Sequence, residues 1–293
     1  MDGPPAAVVS TFPGARRSVL ITGCSSGFGR ATALYLLRRG WRVIGTVRRE
    51  SDAESLRAEA GNQTPRLRVV IADITKADDV AALARAVAAE APELHGLINN
   101  AGTAFPAPLE FLPIDEFRAQ LEINLVAQLA VTQAVLPCLK AARGTIVNVS
   151  SVGGRIATPM LGAYNASKFA LEALSDVLRL ELIPFGIRVA VIEPGASPTE
   201  IWKTSTDRPT PAAERAARSP YAKLIERLQA FAMNARTTGF PPELFARTVE
   251  RILESDDPKP RYALPGDIRM RLFLRKIVSD RMMDRLIRRR LGW

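Results

Sequence analysis

Short apolar runs alternate with longer amphipathic stretches along the chain. The runs cover residues 18–22, 42–47, 67–72, 96–99, 145–149, 187–192 and 261–264. Most are continuous and dominated by Val and Ile, the pattern of strands buried on both faces. Between them, apolar residues recur at helical spacing near 28–39, 76–91, 114–141, 163–184 and 241–254. This alternation predicts an α/β fold: a single, doubly wound parallel sheet of about seven strands with helices on both faces. Gly40 follows Leu36-Leu37-Arg38-Arg39 and predicts a left-handed cap on the first helix. Residues 200–240 break the alternation with Pro209, Pro211 and Pro220, then resume a helical pattern over 222–233. They predict a small helical insertion over the sheet. Residues 266–293 read as one basic amphipathic helix carrying Leu272, Phe273, Ile277, Met282, Leu286 and Ile287.

Composition narrows the class. A 47% hydrophobic and 24% charged chain excludes disorder and a disulfide-stapled miniprotein. No unbroken apolar run reaches the ~18 residues of a membrane span. Residues 1–16 lack a basic segment followed by an apolar core, so they are expected to be a flexible lead-in rather than a secretion signal. The net charge of +10 raises the question of nucleic acid. Nine Arg/Lys against three Asp within 266–293 supply +6 of it, so no nucleic-acid partner is expected. The tail could cross the substrate loop, join an oligomer or lie on anionic membrane; a solvated helix is the expectation, and peripheral membrane contact is not. Two distant cysteines, Cys24 and Cys138, and the absence of any metal-ligand spacing suit a reducing, cytoplasmic setting with no metal. His95 is the only histidine and is expected at the surface.

The first strand runs into Thr22-Gly23-Cys24-Ser25-Ser26-Gly27-Phe28-Gly29-Arg30, and a helix follows. Glycines admit close backbone approach, and free N–H groups at a helix N-terminus suit a pyrophosphate; Ser25 and Ser26 add hydroxyls. Cys24, inside this loop, would be open to thiol reagents. The spacing is GxxxGxG rather than GxGxxG. Further motifs follow in order: Asp73 after the third strand, Asn99-Asn100-Ala101-Gly102 after the fourth, and Asn124 in the next helix. Then come Ser151 after the fifth strand, Tyr164-Asn165-Ala166-Ser167-Lys168, and Pro194-Gly195 with Thr199 after the sixth. The series resembles the short-chain dehydrogenase/reductase family over roughly residues 17–265.

That resemblance implies a Rossmann-type oxidoreductase domain over 17–265, with a dinucleotide held by Gly23, Ser25, Ser26, Gly27, Phe28 and Gly29. Asp73 and Ile74 would flank the adenine, and Asn99, Ala101 and Gly102 would pass beneath the adenosine. Pro194, Gly195 and Thr199 would meet the nicotinamide. Val47 stands where NAD-using members carry Asp, and Arg48 follows it where NADP-using members often carry Arg. A guanidinium matches phosphate well, so NADP is expected, with NAD the alternative. The family's other basic marker is absent, since Ser26 occupies its place.

Tyr164 and Lys168 lie four apart and share a helix face. A free phenol has a pKa of ~10, and a neighbouring ammonium lowers it, so Tyr164 is expected to serve as general acid/base with a depressed pKa. By the family's spacing, Ser151 would hydrogen-bond the substrate oxygen, with the adjacent Ser150 a strand-end hydroxyl. Lys168 would also hold the nicotinamide ribose. Asn124 would hold a water in a relay to Lys168, or simply cap or kink its helix. The substrate is expected to be a hydrophobic secondary alcohol or its ketone or aldehyde, of steroid, retinoid, terpenoid or aryl type. Phe105, Met160 and Trp202 would line its pocket, with Tyr221 and Met233 nearby. The family commonly forms homodimers and homotetramers through the helices that contain Asn124 and Tyr164. The competing readings are a non-catalytic dinucleotide-binding regulator and an isomerase or dehydratase on the same fold.

Overall fold

A computed structural model of the chain describes residues 17–197 and 211–292; the lead-in 1–16, Thr199 and Trp202 lie outside the described residues. Seven strands form one sheet: β1 (Ser18–Ile21), β2 (Arg42–Val47), β3 (Leu67–Ile71), β4 (Gly96–Asn99), β5 (Thr145–Val149), β6 (Arg188–Pro194) and β7 (Arg261–Leu264). Their order is β3-β2-β1-β4-β5-β6-β7, and every pair is parallel. The continuous apolar runs make sense here because both faces are covered. Val19 and Ile21 face one core with Ala33, Leu36, Leu56, Phe245 and Val249. Leu20 faces the other with Leu83, Val87, Val131, Val135 and Leu139. The first core is roofed by α1 (Gly27–Arg38), α2 (Glu50–Ala60) and α9 (Pro242–Glu254). The second is roofed by α3 (Ala77–Glu90) and α5 (Ala127–Ala142), with the edge of α6 (Gly162–Glu181).

Chain order reverses at β1, which pairs with β2 on one side and β4 on the other. The connections leaving β1 and β4 therefore diverge and open a crevice at the carboxyl ends of the strands. Helix α1 ends as expected. Gly40 has φ +87°, its N–H reaches Leu37 O at 3.0 Å, and Trp41 N–H reaches Leu36 O at 3.0 Å.

Several elements depart from the sequence expectation. Helix α2 was not anticipated, because only Ala53, Leu56 and Ala60 are buried and its remaining surface is polar. The stretch expected as one helix over 114–141 is α4 (Ile114–Leu121), a π-helical turn (Glu122–Val126) and α5. Together, Ile114–Ala142 spans 29 residues and is long and apolar enough to cross a membrane by length and composition. Here Val131, Val135 and Leu139 pack on the sheet instead. The insertion contributes α7 (Pro211–Ala217) and a longer α8 (Ala222–Thr238). The tail is two helices, α10 (Ile268–Ile277) and α11 (Asp280–Leu291), because Val278 and Ser279 take extended backbone with ψ 130° and 154°. Ser279 is a natural N-cap residue ahead of Asp280. His95 is half-buried rather than superficial; Ser18 N–H donates to its Nδ1 at 3.3 Å, and burial lowers its pKa.

Candidate active site

Thr22 and Asn100 assemble the crevice. Thr22 Oγ1 accepts the N–H groups of Asn100 and Ala101, each at 3.0 Å. Asn100 Nδ2 donates back to Thr22 O at 2.8 Å and Gly23 O at 3.1 Å. This clasp brings the turns after β1 and β4 together. Gly23 sits at φ +73°, and a Cβ there would lie 2.9 Å from Ala101 Cα. A Cβ on Gly29 would fall 2.2 Å from Gly23 O, so this glycine serves the packing of α1 under the loop. Ser26 caps α1 without a side-chain bond, and the first turn of α1 carries no acidic residue. Its N-terminal N–H groups and positive dipole end are thus left for an anion.

A cavity of about 710 Å³ runs from this loop across the carboxyl ends of the strands. Gly23, Ser25, Ser26, Gly27 and Phe28 line it at one end, and Ser151, Tyr164, Lys168, Pro194 and Gly195 at the other. Between them lie Val47, Arg48, Asp73, Ile74, Ala101, Gly102 and Phe105. The uncapped helix, the glycine cradle and this length together fit a dinucleotide. Arg48 is exposed and has no hydrogen bond or ion pair among the described residues, whereas Arg49 grips Asp52 with bonds of 2.9 and 3.0 Å. Burial would raise the Asp73 carboxyl, but bonds from the Thr75 hydroxyl and N–H, and the charge of Arg48, hold it below the usual range.

At the other end, Tyr164 and Lys168 rise from the inner face of α6, both almost fully buried. Lys168 Nζ donates to Val149 O at 2.8 Å and stands 5.9 Å from the centre of the Tyr164 ring. The Ser151 hydroxyl lies beside the Tyr164 phenol and works to lower its pKa, while Ser151 Oγ donates to Pro194 O at 3.4 Å. Its Oγ also accepts Gly153 N–H at 3.0 Å, which fixes the hydroxyl at the end of β5. The neighbouring Ser150 Oγ is buried on the cavity wall with no partner among the described residues. Burial lowers the Lys168 ammonium to about 8, with Glu172 pulling the other way. The Tyr164 phenol departs from expectation: burial raises it above its ordinary value, and only the nearby Ser151 hydroxyl works downward. The lysine is too far from the phenol ring and too well engaged by Val149 to reverse that.

Some expected contacts lie elsewhere. Asn99 is sealed beneath the site, donating to Thr132 and Asn148 at 2.9 Å, and Asn100 takes its place on the cavity wall. Met160 is buried away from the cavity, its carbonyl holding Ala107 N–H. Tyr221 packs edge-on to Phe111, and Met233 is 68% exposed; neither lines the cavity. Cys24 is fully buried with its thiol pushed up to about 12, so the loop offers no reactive thiolate. Asn124 is buried in the π turn. Its Oδ1 accepts Thr103 N–H at 2.9 Å, and its Nδ2 donates to Thr103 O at 3.0 Å and Ser167 Oγ at 3.1 Å. Thr22 and Asn100 have a place in their sequence motifs but no clamping role there, and Gln120 on α4, which holds Phe105 N–H and Thr103 O, carries no sequence signal.

A switch-point cavity with a glycine cradle at one end and a Tyr–Lys–Ser group at the other defines a dinucleotide-dependent oxidoreductase class. Residues 17–210 match the sequence model of the short chain dehydrogenase family, and the chain belongs to that family. It is 36% identical to human retinol dehydrogenase 5 over 87% of this chain and 82% of that protein. It is 32% identical to the NADPH-dependent 3-dehydrocapnine reductase of Ornithobacterium rhinotracheale, over 92% and 95% of the two chains. Among solved structures, a short-chain dehydrogenase from Streptomyces avermitilis superposes with a TM-score of 0.72 at 29% identity, over 89% of this chain and 92% of that one.

Proposed function

We propose that the protein interconverts a hydrophobic secondary alcohol and its ketone or aldehyde, with NADP as the dinucleotide and Tyr164 as the general acid/base. The observation that carries this is the meeting of Tyr164, Ser151 and Lys168 at one end of a cavity that begins on the glycine loop. When bound there, the nicotinamide supplies or accepts the hydride, and its oxidised form adds a positive charge beside the phenol. Tyr164 gives its proton to the carbonyl oxygen in reduction and takes it back in oxidation. Ser151, beside the phenol at the end of β5, orients the substrate oxygen and stabilises charge developing on it. Lys168 holds the ribose hydroxyls and favours tyrosinate once that second positive charge is present. Asn124 spends both Nδ2 protons on Thr103 O and Ser167 Oγ, and its Oδ1, which accepts only Thr103 N–H, keeps a lone pair for a water in a relay toward Lys168.

Arg48 supports NADP: it is the cation at the end of β2 left unpaired by its neighbours. Phe105 and Ile123 give the cavity an apolar flank, and a relative named for retinol supports a lipophilic substrate. The test is Tyr164→Phe. Turnover of a panel of lipophilic alcohols with NADP should fall by about 10²–10⁴-fold, while dinucleotide binding followed by fluorescence stays within twofold. Undiminished turnover would reject Tyr164 as the acid/base, whereas a wild type that binds the dinucleotide and turns over none of the panel would favour a non-catalytic dinucleotide binder.

A further inference from the structure

The outward face of α10 is apolar where a helix packed on its own protein should be polar. Met270, Phe273, Leu274 and Ile277 follow the i, i+3, i+4, i+7 spacing of one helix face, and they are 63, 57, 44 and 66% exposed. The opposite face is the anchored one. Ile268 is buried against Gly195, and Leu272 is half-buried. Helix position is therefore fixed with the apolar row outward. Arg269 and Arg271 fall about 100° to either side of that row by helical geometry, and both are exposed. On α11, Met282 and Leu286 are 53 and 46% exposed, with Arg281, Arg285 and Arg289 exposed around them.

We infer that α10 and α11 form a docking surface for an anionic lipid bilayer. An apolar row flanked by cations suits insertion of the row at the acyl boundary, with the guanidinium groups at the phosphates. Charge complementarity selects this occupant. A second copy of the same face would set the +6 of one tail against the +6 of the other, with three Asp on each to offset nine cations. A neutral apolar partner would leave the arginines unused. The placement also connects to the cavity. Gly195 lines the cavity, and a Cβ on it would come 2.2 Å from Ile268 Cδ1, so α10 begins at the cavity rim. Docking would bring that rim to the bilayer, from which a lipophilic molecule partitions. The docking itself stands independently of the reaction proposed above.

The test uses the full chain and sedimentation with vesicles of phosphatidylcholine alone or with a third phosphatidylglycerol. Expected is binding to the anionic vesicles, at least tenfold weaker to the neutral ones, and falling steeply with added salt. Phe273→Glu combined with Ile277→Glu should lose anionic-vesicle binding by at least tenfold, with an unchanged thermal transition and unchanged dinucleotide binding. Arg269→Gln with Arg271→Gln should weaken binding and flatten its salt dependence. Equal affinity for both vesicle types, no binding, or full binding by the Phe273→Glu, Ile277→Glu variant would overturn the inference. So would a change in solution mass in that variant without any vesicle binding by the wild type, which would assign the face to a second copy.

Discussion

Two residues at the site carry charge questions that a pH titration and a substitution can answer. Lys168 has its ammonium lowered from an ordinary 10.5 to about 8 by burial. Between those values the unfolded chain binds a proton at this lysine and the folded chain does not. The unfolded state then holds more protons, so this group makes stability rise with pH from about 8 toward 10.5. Tyr164, raised by burial, works oppositely, but only once ordinary phenols ionise near ~10. Urea unfolding at about pH 7.5 and about pH 9.5 should therefore show a smaller rise in stability for Lys168→Met than for the wild type. Identical differences would mean that the folded lysine titrates normally. Arg48 poses the second question, because Val47 offers no carboxylate to a ribose and Arg49 is held by Asp52. Arg48→Asp should raise KM for NADP at least tenfold and change KM for NAD by less than threefold, measured by reduced-nicotinamide absorbance. Equal effects on both would remove Arg48 from cofactor choice. Both residues were legible in the sequence by position. The direction of the Tyr164 shift was not, because the distance between phenol and ammonium, and the bond from Lys168 to Val149, belong to the packed state.

Helix α6 holds Tyr164 and Lys168, and a buried ionic group ties it to the far edge of the sheet. Arg261 on β7 donates to Glu172 at 2.9 Å and to Asp176 at 2.7 Å, both on α6. Arg155, from the loop after β5, lies 3.3 Å from Glu193 on β6. Glu172 and Glu193 are almost entirely buried, and these two guanidinium groups lie against their charges. Arg261→Met should cost about 3–5 kcal/mol in chemical denaturation, because it strands carboxylates already removed from water. Adding Glu172→Gln should recover part of that. A loss under about 1 kcal/mol would show that the acids' other partners suffice without Arg261. None of this was readable in advance. Arg261 and Glu172 are 89 positions apart, and an arginine opening a short apolar strand looks like a solvated end. Strands, by contrast, were readable because their apolar runs are uninterrupted, and α2 was missed because three small or aliphatic contacts sufficed to seat it.

At the scale of the molecule, what decides function is which apolar faces remain outside. Periodicity marks both sides of α6 as partly apolar and cannot say which side meets the sheet. In the fold, Tyr164, Lys168, Leu171 and Ser175 turn inward, while Phe169, Val177 and Leu180 are 42, 48 and 63% exposed along one outer stripe. On α10 the sequence marks Phe273 and Ile277 only as the apolar side of a basic amphipathic helix, and the fold turns that side outward. The α6 stripe differs from the tail in lacking a cationic fringe: Asp176 and Arg179 beside it pair with each other at 2.7 Å. A neutral apolar stripe of this kind suits a second copy, in which the two α6 helices would pack across a twofold axis and stiffen the helix that carries Tyr164 and Lys168. Light scattering of the wild type should accordingly give a whole multiple of the monomer mass at micromolar concentration. Phe169→Glu with Leu180→Glu should reduce it to the monomer and lower turnover several-fold, with dinucleotide affinity within threefold. A wild type that scatters as a monomer would release the stripe from that role. A monomeric variant with full turnover would instead separate assembly from catalysis and leave α6 rigid through the Arg261 cluster alone.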